Sequence, residues 1–258
     1  MEFQLKELFQ QIKIPYNSII LIHIKLKGIT EKLKLSTIDK ESSYLDLTFS
    51  IVNTLKKMFK AKGILVPAFS YSFTKKGIFN RLETPSEVGR FCEEVRLKNI
   101  NKRTFDPVFS VIDYDLILPK DKYTEVQLSA FGENCVWEYL SNEGCFVINI
   151  NLDEIVSTHL HYLEFISKVP YRYNKIFTGL VKNEENNWRK INYNYFVRDK
   201  SLDTNWRRRK IEKDMINNNL GFQNFIYKGI NIKVFSTEIL NSFVGKIMQK
   251  NPLYLIQD

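Results

Sequence analysis

The chain has 258 residues, 44% of them hydrophobic, which fits one large domain, or one domain with a small appendage, built on a substantial core. Lys and Arg number 38 against 29 Asp and Glu, a formal net charge of +9 that favours anionic partners without choosing among nucleic acid, nucleotides, phosphate-bearing coenzymes and anionic lipid. No run approaches the roughly 18 apolar residues of a membrane helix, and the amphipathic opening MEFQLKELFQQIKI does not read as a signal peptide.

Strand and helix patterns then alternate. NSIILIHI (17–24) is apolar almost throughout and predicts a buried strand. Residues 42–61 carry Leu45, Leu47, Ile51, Val52, Leu55 and Met58 at helical spacing. GILVPAF (63–69) predicts a second strand, bending or ending near Pro67. Thr84-Pro85-Ser86-Glu87 has the form of a capping box with proline at the first helical position, so a helix is expected to open at 85. FSVIDYDLI (109–117) and CFVINI (145–150) predict strands, with a helical stretch, ENCVWEYL (133–140), between them, and a further helix is expected from about Leu152. After about 170 come a hairpin (RYNKIFTGLV and WRKINYNYFV), a basic helix (204–218), a second hairpin turning at Lys228-Gly229 and a closing helix, TEILNSFVGKIMQK.

This rhythm predicts an α/β fold: a mixed central sheet flanked by helices, with a small antiparallel C-terminal subdomain. The expected division is a core over 1–168, with 169–258 adding hairpins and helices that complete the same domain. Cys92, Cys135 and Cys145 are too few and too scattered for a disulfide framework or a metal knuckle. They are expected to be buried free thiols in a reducing cytoplasm. The surplus of Lys, Asn, Ile, Phe and Tyr fits an AT-rich genome, so part of the basicity is discounted.

Two of the three histidines fall in STHLHYLEF (157–165). On a strand His159 and His161 would share a face and suggest a metal. On a helix they diverge by about 200°. Val156, Leu160 and Leu163 recur at helical spacing, and strict alternation fails, so helix is the better reading and a shared metal is disfavoured. His161 then shares a side with Ser157, Thr158 and Glu164. A histidine with a carboxylate in reach is either a structural residue satisfied by hydrogen bonds or an oriented general base.

Several segments, taken together, resemble the aminoglycoside 3-N-acetyltransferases. THLHYLE (158–164) resembles their T-x-L-H-x-x-E segment, whose histidine is the catalytic base. IHIKLKGI (22–29) resembles V-H-S-S-L-R-S-L-G, which contributes to the coenzyme A site. LVPAFSYSF (65–73), TPSEVGRFCEEVR (84–96), RTFDPVFS (103–110) and FGENCVWEYL (131–140) resemble M-P-T-F-T, T-P-S-x-x-G-x-x-x-E-x-x-R, R-S-x-H-P-x-x-S and F-G-x-x-S-P-L-x-x-L, in the family's order. The resemblance covers about 20–165. It implies His161 as base, with Asp106 or Glu164 orienting it, and Asp106 is preferred. It implies a coenzyme site at His23, Lys25, Leu26, Lys27, Gly28 and Thr158, and acceptor contacts at Ser70, Glu94 and Ser110. Thr158 or Ser110 would donate to the oxyanion. The departures are Ile24 and Lys25 for two serines, Asp106 for a histidine and Cys135 for a serine. Cys135 as an acylated nucleophile is disfavoured.

The expected activity is transfer of an acyl group from coenzyme A to the amine of an amino sugar, with no metal. A +9 chain is a poor long-range host for a polycation, so an anionic, nucleotide-linked acceptor is favoured over an aminoglycoside. With the reference histidine pKa near 6.5, the rate is expected to rise with pH through that titration. The rival classes are a nucleic-acid binder built on Trp206-Arg207-Arg208-Arg209-Lys210 and a His-x-His metal hydrolase. In the first, the charges splay around a helix and Glu212 and Asp214 follow, which favours a solvated face.

Overall fold

The computed structural model describes residues 1–35, 40–182 and 187–257. Helix α1 (Glu2–Phe9) leads into β1 (Ile19–Ile24), then α2 (Ile29–Lys32), α3 (Lys40–Phe59), β2 (Gly63–Pro67), α4 (Phe73–Lys76) and β3 (Ile78–Asn80). Next come α5 (Arg90–Lys98), β4 (Val111–Asp113), α6 (Asp121–Thr124), α7 (Val136–Glu143), β5 (Phe146–Ile150) and α8 (His159–Ile166). The hairpin β6 (Arg172–Lys182) and β7 (Trp188–Arg198), helix α9 (Arg208–Asn217) and the hairpin β8 (Gln223–Tyr227) and β9 (Ile230–Ser236) follow. A helical tail with a π-helical stretch at Leu240–Gly245 completes the elements.

The central sheet has the order β4-β2-β1-β5-β9-β8. Strand β1 runs parallel to β2 and β5, and the outer pairs are antiparallel. Such a sheet is covered on both faces, which explains why β1 is apolar at nearly every position. The period of two divides its side chains. Ile20 and Ile22 enter one core with α1, α3 and α5, whereas Ile19 and Leu21 enter the other with α7, α8 and the second sheet. His23 continues the Ile19–Leu21 set and so faces the α8 side.

The fold class is as the sequence indicates, with corrections of detail. The second hairpin does not join a C-terminal subdomain: β9 pairs with β5 and extends the central sheet. The first hairpin forms the smaller sheet, order β3-β6-β7, and β3 from the N-terminal half pairs parallel to β6. Lys228 (φ 47°) and Gly229 (φ 74°) make the expected two-residue turn, both in the left-handed region that such a turn requires.

The helix expected at 85 opens five residues later, at Arg90. The amides that a capping box would use are satisfied elsewhere: Ser86 N–H donates to Glu93 (2.7 Å) and Glu87 N–H to Phe69 O (2.8 Å). Glu87 instead accepts from Ser72 N–H at 2.9 Å. Strand β4 is shorter than expected because Asp113 turns its side chain inward to accept from Leu118 N–H (2.8 Å) and Tyr123 Oη (2.5 Å), ending the extended run. Helix α8 begins at His159 rather than near Leu152, since Asn149 holds Val156 at both its amide (2.6 Å) and its carbonyl (3.0 Å) in an open loop.

Candidate active site

Beside α8, above the ends of β1 and β2, lies a cavity of about 240 Å³. His23 and Ile24 line it from β1, Phe69 and Tyr71 from the segment after β2, and Ser157, Thr158 and His161 from the start of α8. Trp206 and Arg208 also line it. Helical geometry separates the two histidines as expected. His159 points away, is 1% exposed, and pairs its Nε2 with Asn241 Oδ1 at 2.7 Å. The His161 side chain is 20% exposed, towards the cavity.

Behind His161 stands a buried charge cluster. Nδ1 lies 2.8 Å from Glu164 Oε2 and 2.9 Å from Arg172 Nη2. Arg172 Nε forms an ion pair with Glu164 Oε2 at 2.8 Å, and Trp206 Nε1–H donates to Glu164 Oε1 at 2.8 Å. A carboxylate only accepts and a guanidinium only donates, so the two neighbours of Nδ1 ask for opposite tautomers. Burial works to raise the Glu164 carboxyl, but His161, Arg172 and Trp206 outweigh it and hold Glu164 below the usual carboxylate range. An ionised Glu164 accepts the Nδ1 proton and leaves Nε2, the nitrogen facing the cavity, with its lone pair free. Desolvation pushes His161 down to about 4, opposed by its bond to Glu164 and assisted by the charge of Arg172. The ring is therefore neutral across the physiological range. Its titration is thus shifted down from the ordinary value near 6.5.

The ring is also packed. Trp206 lies 4.4 Å from it between centroids, Phe131 6.0 Å and Phe109 6.4 Å. Three aromatic neighbours and a buried ion pair fix one orientation of a side chain that has one free nitrogen.

The preferred orienting residue, Asp106, sits elsewhere. It accepts from Val108 N–H (2.8 Å), Phe109 N–H (2.7 Å) and Tyr193 Oη (2.8 Å), and so shapes the loop that presents Phe109. Burial pushes its carboxyl up to about 6, against the pull of those donors. Glu164 holds the place next to the ring.

Of the residues expected to hold the coenzyme, His23 and Thr158 line the cavity, whereas Lys25, Leu26, Lys27 and Gly28 do not. Lys25 and Lys27 are exposed, and Leu26 is core. Asn151 accounts for the loop's shape, donating to Lys25 O and Lys27 O at 2.9 Å each, and Gly28 (φ 83°) starts α2.

Ser70 and Ser110 are fully buried and serve Arg103, accepting from its Nη2 (2.8 Å) and Nε (2.9 Å). Their hydroxyls donate to Pro85 O and Ala68 O, so neither is free for an acceptor or an oxyanion. Glu94 pairs with Arg90 at 3.3 Å on α5, away from the cavity. Cys135 is the buried N-cap of α7, where its sulfur accepts from Glu138 N–H (3.3 Å) and burial raises its thiol above the usual range.

Two polar atoms on the cavity wall are buried without a partner: His23 Nε2 and Ser157 Oγ. Such atoms are costly unless a ligand or solvent satisfies them. Sequence reasoning placed neither Arg172 nor Trp206 at the site. Arg172 comes from β6, beyond any local period. The signal for Trp206 was its place in a run of arginines, read only as a solvated or nucleic-acid face. Within that run Arg207 pairs with Asp203 (3.5 Å), Arg209 with Glu154 (3.2 Å), and Lys210 donates to Gln257 O (2.6 Å), so the charges point in different directions. Among the described residues no group of His, Cys, Asp and Glu could hold a metal, and no helix is long and apolar enough to cross a membrane.

Neither a protein-family model nor a curated protein matches the sequence. Solved structures do match over nearly the whole chain. The YokD protein from Bacillus subtilis is similar at 15% identity, covering 97% of this chain and 99% of that one with a TM-score of 0.70. The sisomicin-bound AAC-VIa is similar at 12% identity, covering 97% and 98%, with a TM-score of 0.73. AAC-IIIb, solved as a binary complex with CoASH, is similar at 13% identity, covering 97% of each chain, with a TM-score of 0.69. The fold is that of the aminoglycoside acetyltransferases.

Proposed function

We propose that the chain is an acyl-CoA-dependent N-acyltransferase that acylates the amine of an amino sugar. One observation carries this: a neutral His161, held by Glu164, presents its free nitrogen to a cavity on a fold shared with acetyltransferases.

In this reading His161 Nε2 takes a proton from the acceptor nitrogen as that nitrogen bonds to the thioester carbonyl carbon. Thr158 and the unpartnered Ser157 hydroxyl, both on the cavity wall, would serve as donors to the developing oxyanion. Collapse of the tetrahedral centre breaks the C–S bond, and the coenzyme leaves as thiolate and takes up the proton. His23 Nε2 fits the thioester side, as a buried neutral ring that lacks a partner. Lys25 and Lys27, exposed on the following loop, suit the coenzyme's phosphates. A ring with a pKa of about 4 is a weak base, so its contribution is positional: it receives the proton at the moment the N–C bond forms.

The acceptor we favour is anionic, a nucleotide-linked amino sugar. Besides the net charge, the cavity wall supports this, since no carboxylate is among the described residues that line it. A polycation would need several. The second reading is an aminoglycoside, favoured by the likeness to a sisomicin-bound structure.

The test is release of coenzyme A thiol from acetyl-coenzyme A, assayed with a nucleotide-linked amino sugar and with gentamicin-type amines. Faster turnover of the first is expected. Faster turnover of the aminoglycoside would reverse the assignment, and thiol release that no amine stimulates would end it.

A further inference from the structure

The Trp206 ring is flanked by two guanidiniums. Arg198 from β7 and Arg208 from α9 each place their guanidinium carbon 5.5 Å from it. The same ring packs 4.4 Å from His161, and its Nε1–H is donated to Glu164, which fixes its plane. Neither arginine has an ion pair or a side-chain hydrogen bond among the described residues. The other arginines nearby are spent: Arg172 on Glu164 and Phe196 O (3.0 Å), and Arg209 on Glu154.

Two like charges held half-buried against one ring, with no carboxylate between them, repel each other and lose hydration. Burial and the neighbouring Arg172 both oppose the charge on Arg198 and outweigh the support it draws from Glu164. The ring faces recover part of this through cation–π attraction, at about 0.5–2 kcal/mol each. That leaves the guanidinium N–H groups as unused donors, those of Arg208 on the cavity wall and those of Arg198 beside the Trp206 ring that both arginines contact. A planar fork of donors is matched by phosphate or carboxylate oxygens.

We infer that Arg198 and Arg208, braced on Trp206, are a clamp for the anionic group of the acceptor, a phosphate or carboxylate attached to the amino sugar. This rests on the acyl-transfer reading for the word acceptor, but the anion site stands on the arginines themselves. An anion held there lies one aromatic ring away from His161, so the clamp sets how far the reactive amine sits from the charged group. It would reject a polycation by leaving both guanidiniums unpaired and adding more positive charge.

The experiment reads binding rather than turnover. Trp206 emission is titrated with glucosamine 6-phosphate, with glucosamine and with coenzyme A, and Trp206→Phe identifies the signal that belongs to this ring. The phosphorylated sugar is expected to give a saturable change, with glucosamine at least about tenfold weaker. Arg198→Gln and Arg208→Gln are expected to weaken the phosphorylated sugar by about tenfold or more and to leave the Kd for coenzyme A within about twofold. Arg208→Lys, which keeps charge without the fork, is expected to fall between. Arg209→Gln removes an equal charge from the same helix outside the clamp and is expected to change nothing. Loss of coenzyme A affinity with the sugar unaffected would overturn the assignment, as would equal effects of Arg209→Gln and Arg208→Gln. Saturable phosphate-dependent binding without acyl transfer to any amine would sink the acyl-transfer reading and leave the clamp standing.

Discussion

His161 and Glu164 are separated by one helical turn, and the chemistry proposed here depends on which nitrogen carries the ring proton. Replacing His161 with Ala removes the acceptor of the amine proton, and the rate is expected to fall by roughly 10²–10⁴ while the Kd for coenzyme A stays nearly unchanged. His159→Ala is expected to cost far less in rate, because that ring is committed to Asn241. If His159→Ala proves the more damaging in turnover per folded molecule, the assignment of the base is wrong. Glu164→Gln tests the tautomer. With the carboxylate gone, Arg172 is the remaining charged partner of Nδ1, and it can only donate. The ring proton then moves to Nε2, which ceases to be a base. The expected loss is of the same order as for His161→Ala, although the imidazole is still present. Nitrogen chemical shifts of His161 would show the exchange of tautomers, and an unchanged tautomer with unchanged rate would refute it. In the wild type the same signal should titrate near 4, so no limb of the pH–rate profile between 6 and 8 belongs to this ring.

At the scale of elements, the site depends on the small sheet as much as on the large one, because Arg172 begins β6 and Arg198 ends β7. Gly179 is the tight point of that sheet. A Cβ there would stand 2.6 Å from the Phe73 ring and 2.7 Å from Gly77 O. Gly179→Ala is therefore expected to destabilise the fold by about 1–3 kcal/mol through overpacking. Urea unfolding measures this, and an effect below about 0.5 kcal/mol would show that α4 yields freely. This region was also the least legible in the sequence. The strands β1, β2 and β5 and helix α3 were readable because burial on two faces, or a helical stripe, leaves a local signature. The β6–β7 hairpin was readable too. Its pairing with β3, and the second hairpin's pairing with β5, were not, since edge pairing depends on partners more than 80 residues away in sequence. The proximity of His161, Glu164, His23 and Thr158 to the cavity was legible because α8 and the β1 end are short local motifs. Arg172 and Trp206 come from two other elements and converge only in the folded chain. Ser70 and Ser110 were misassigned for a related reason. Their motifs hold the buried Arg103, whose guanidinium also donates to Ala68 O (2.6 Å) and Thr84 O, and nothing in local spacing separates a motif that holds the scaffold from one that holds a ligand.

For the whole molecule the three histidines make a shared prediction. Burial is the largest cause in each, pushing His23, His159 and His161 down to about 4. An unfolded histidine takes a proton near 6.5. As pH falls below 6.5 the unfolded chain gains protons that the folded chain refuses until about 4. Stability is thus fully present above 6.5 and is lost across this window, at up to about 1.4 kcal/mol per pH unit for each histidine. Asp106 works the other way. Its folded carboxyl, raised to about 6, binds a proton before the unfolded one does, so acidification through that value favours the fold and offsets one histidine. Asp113, raised by burial, adds to the offset. The histidines are the more numerous, so urea midpoints should fall from pH 7 to pH 5. His159→Gln, which keeps an amide next to Asn241, should flatten the decline by about one histidine's share. A second contribution has the same sign, because acidification adds positive charge to a chain already at +9. Salt separates the two. Raising ionic strength screens repulsion among exposed charges but leaves the cost of protonating a buried ring almost untouched. A decline that disappears in high salt would assign the effect to net charge, and a profile flat from 7 to 5 would mean that the three rings are better solvated than their burial implies.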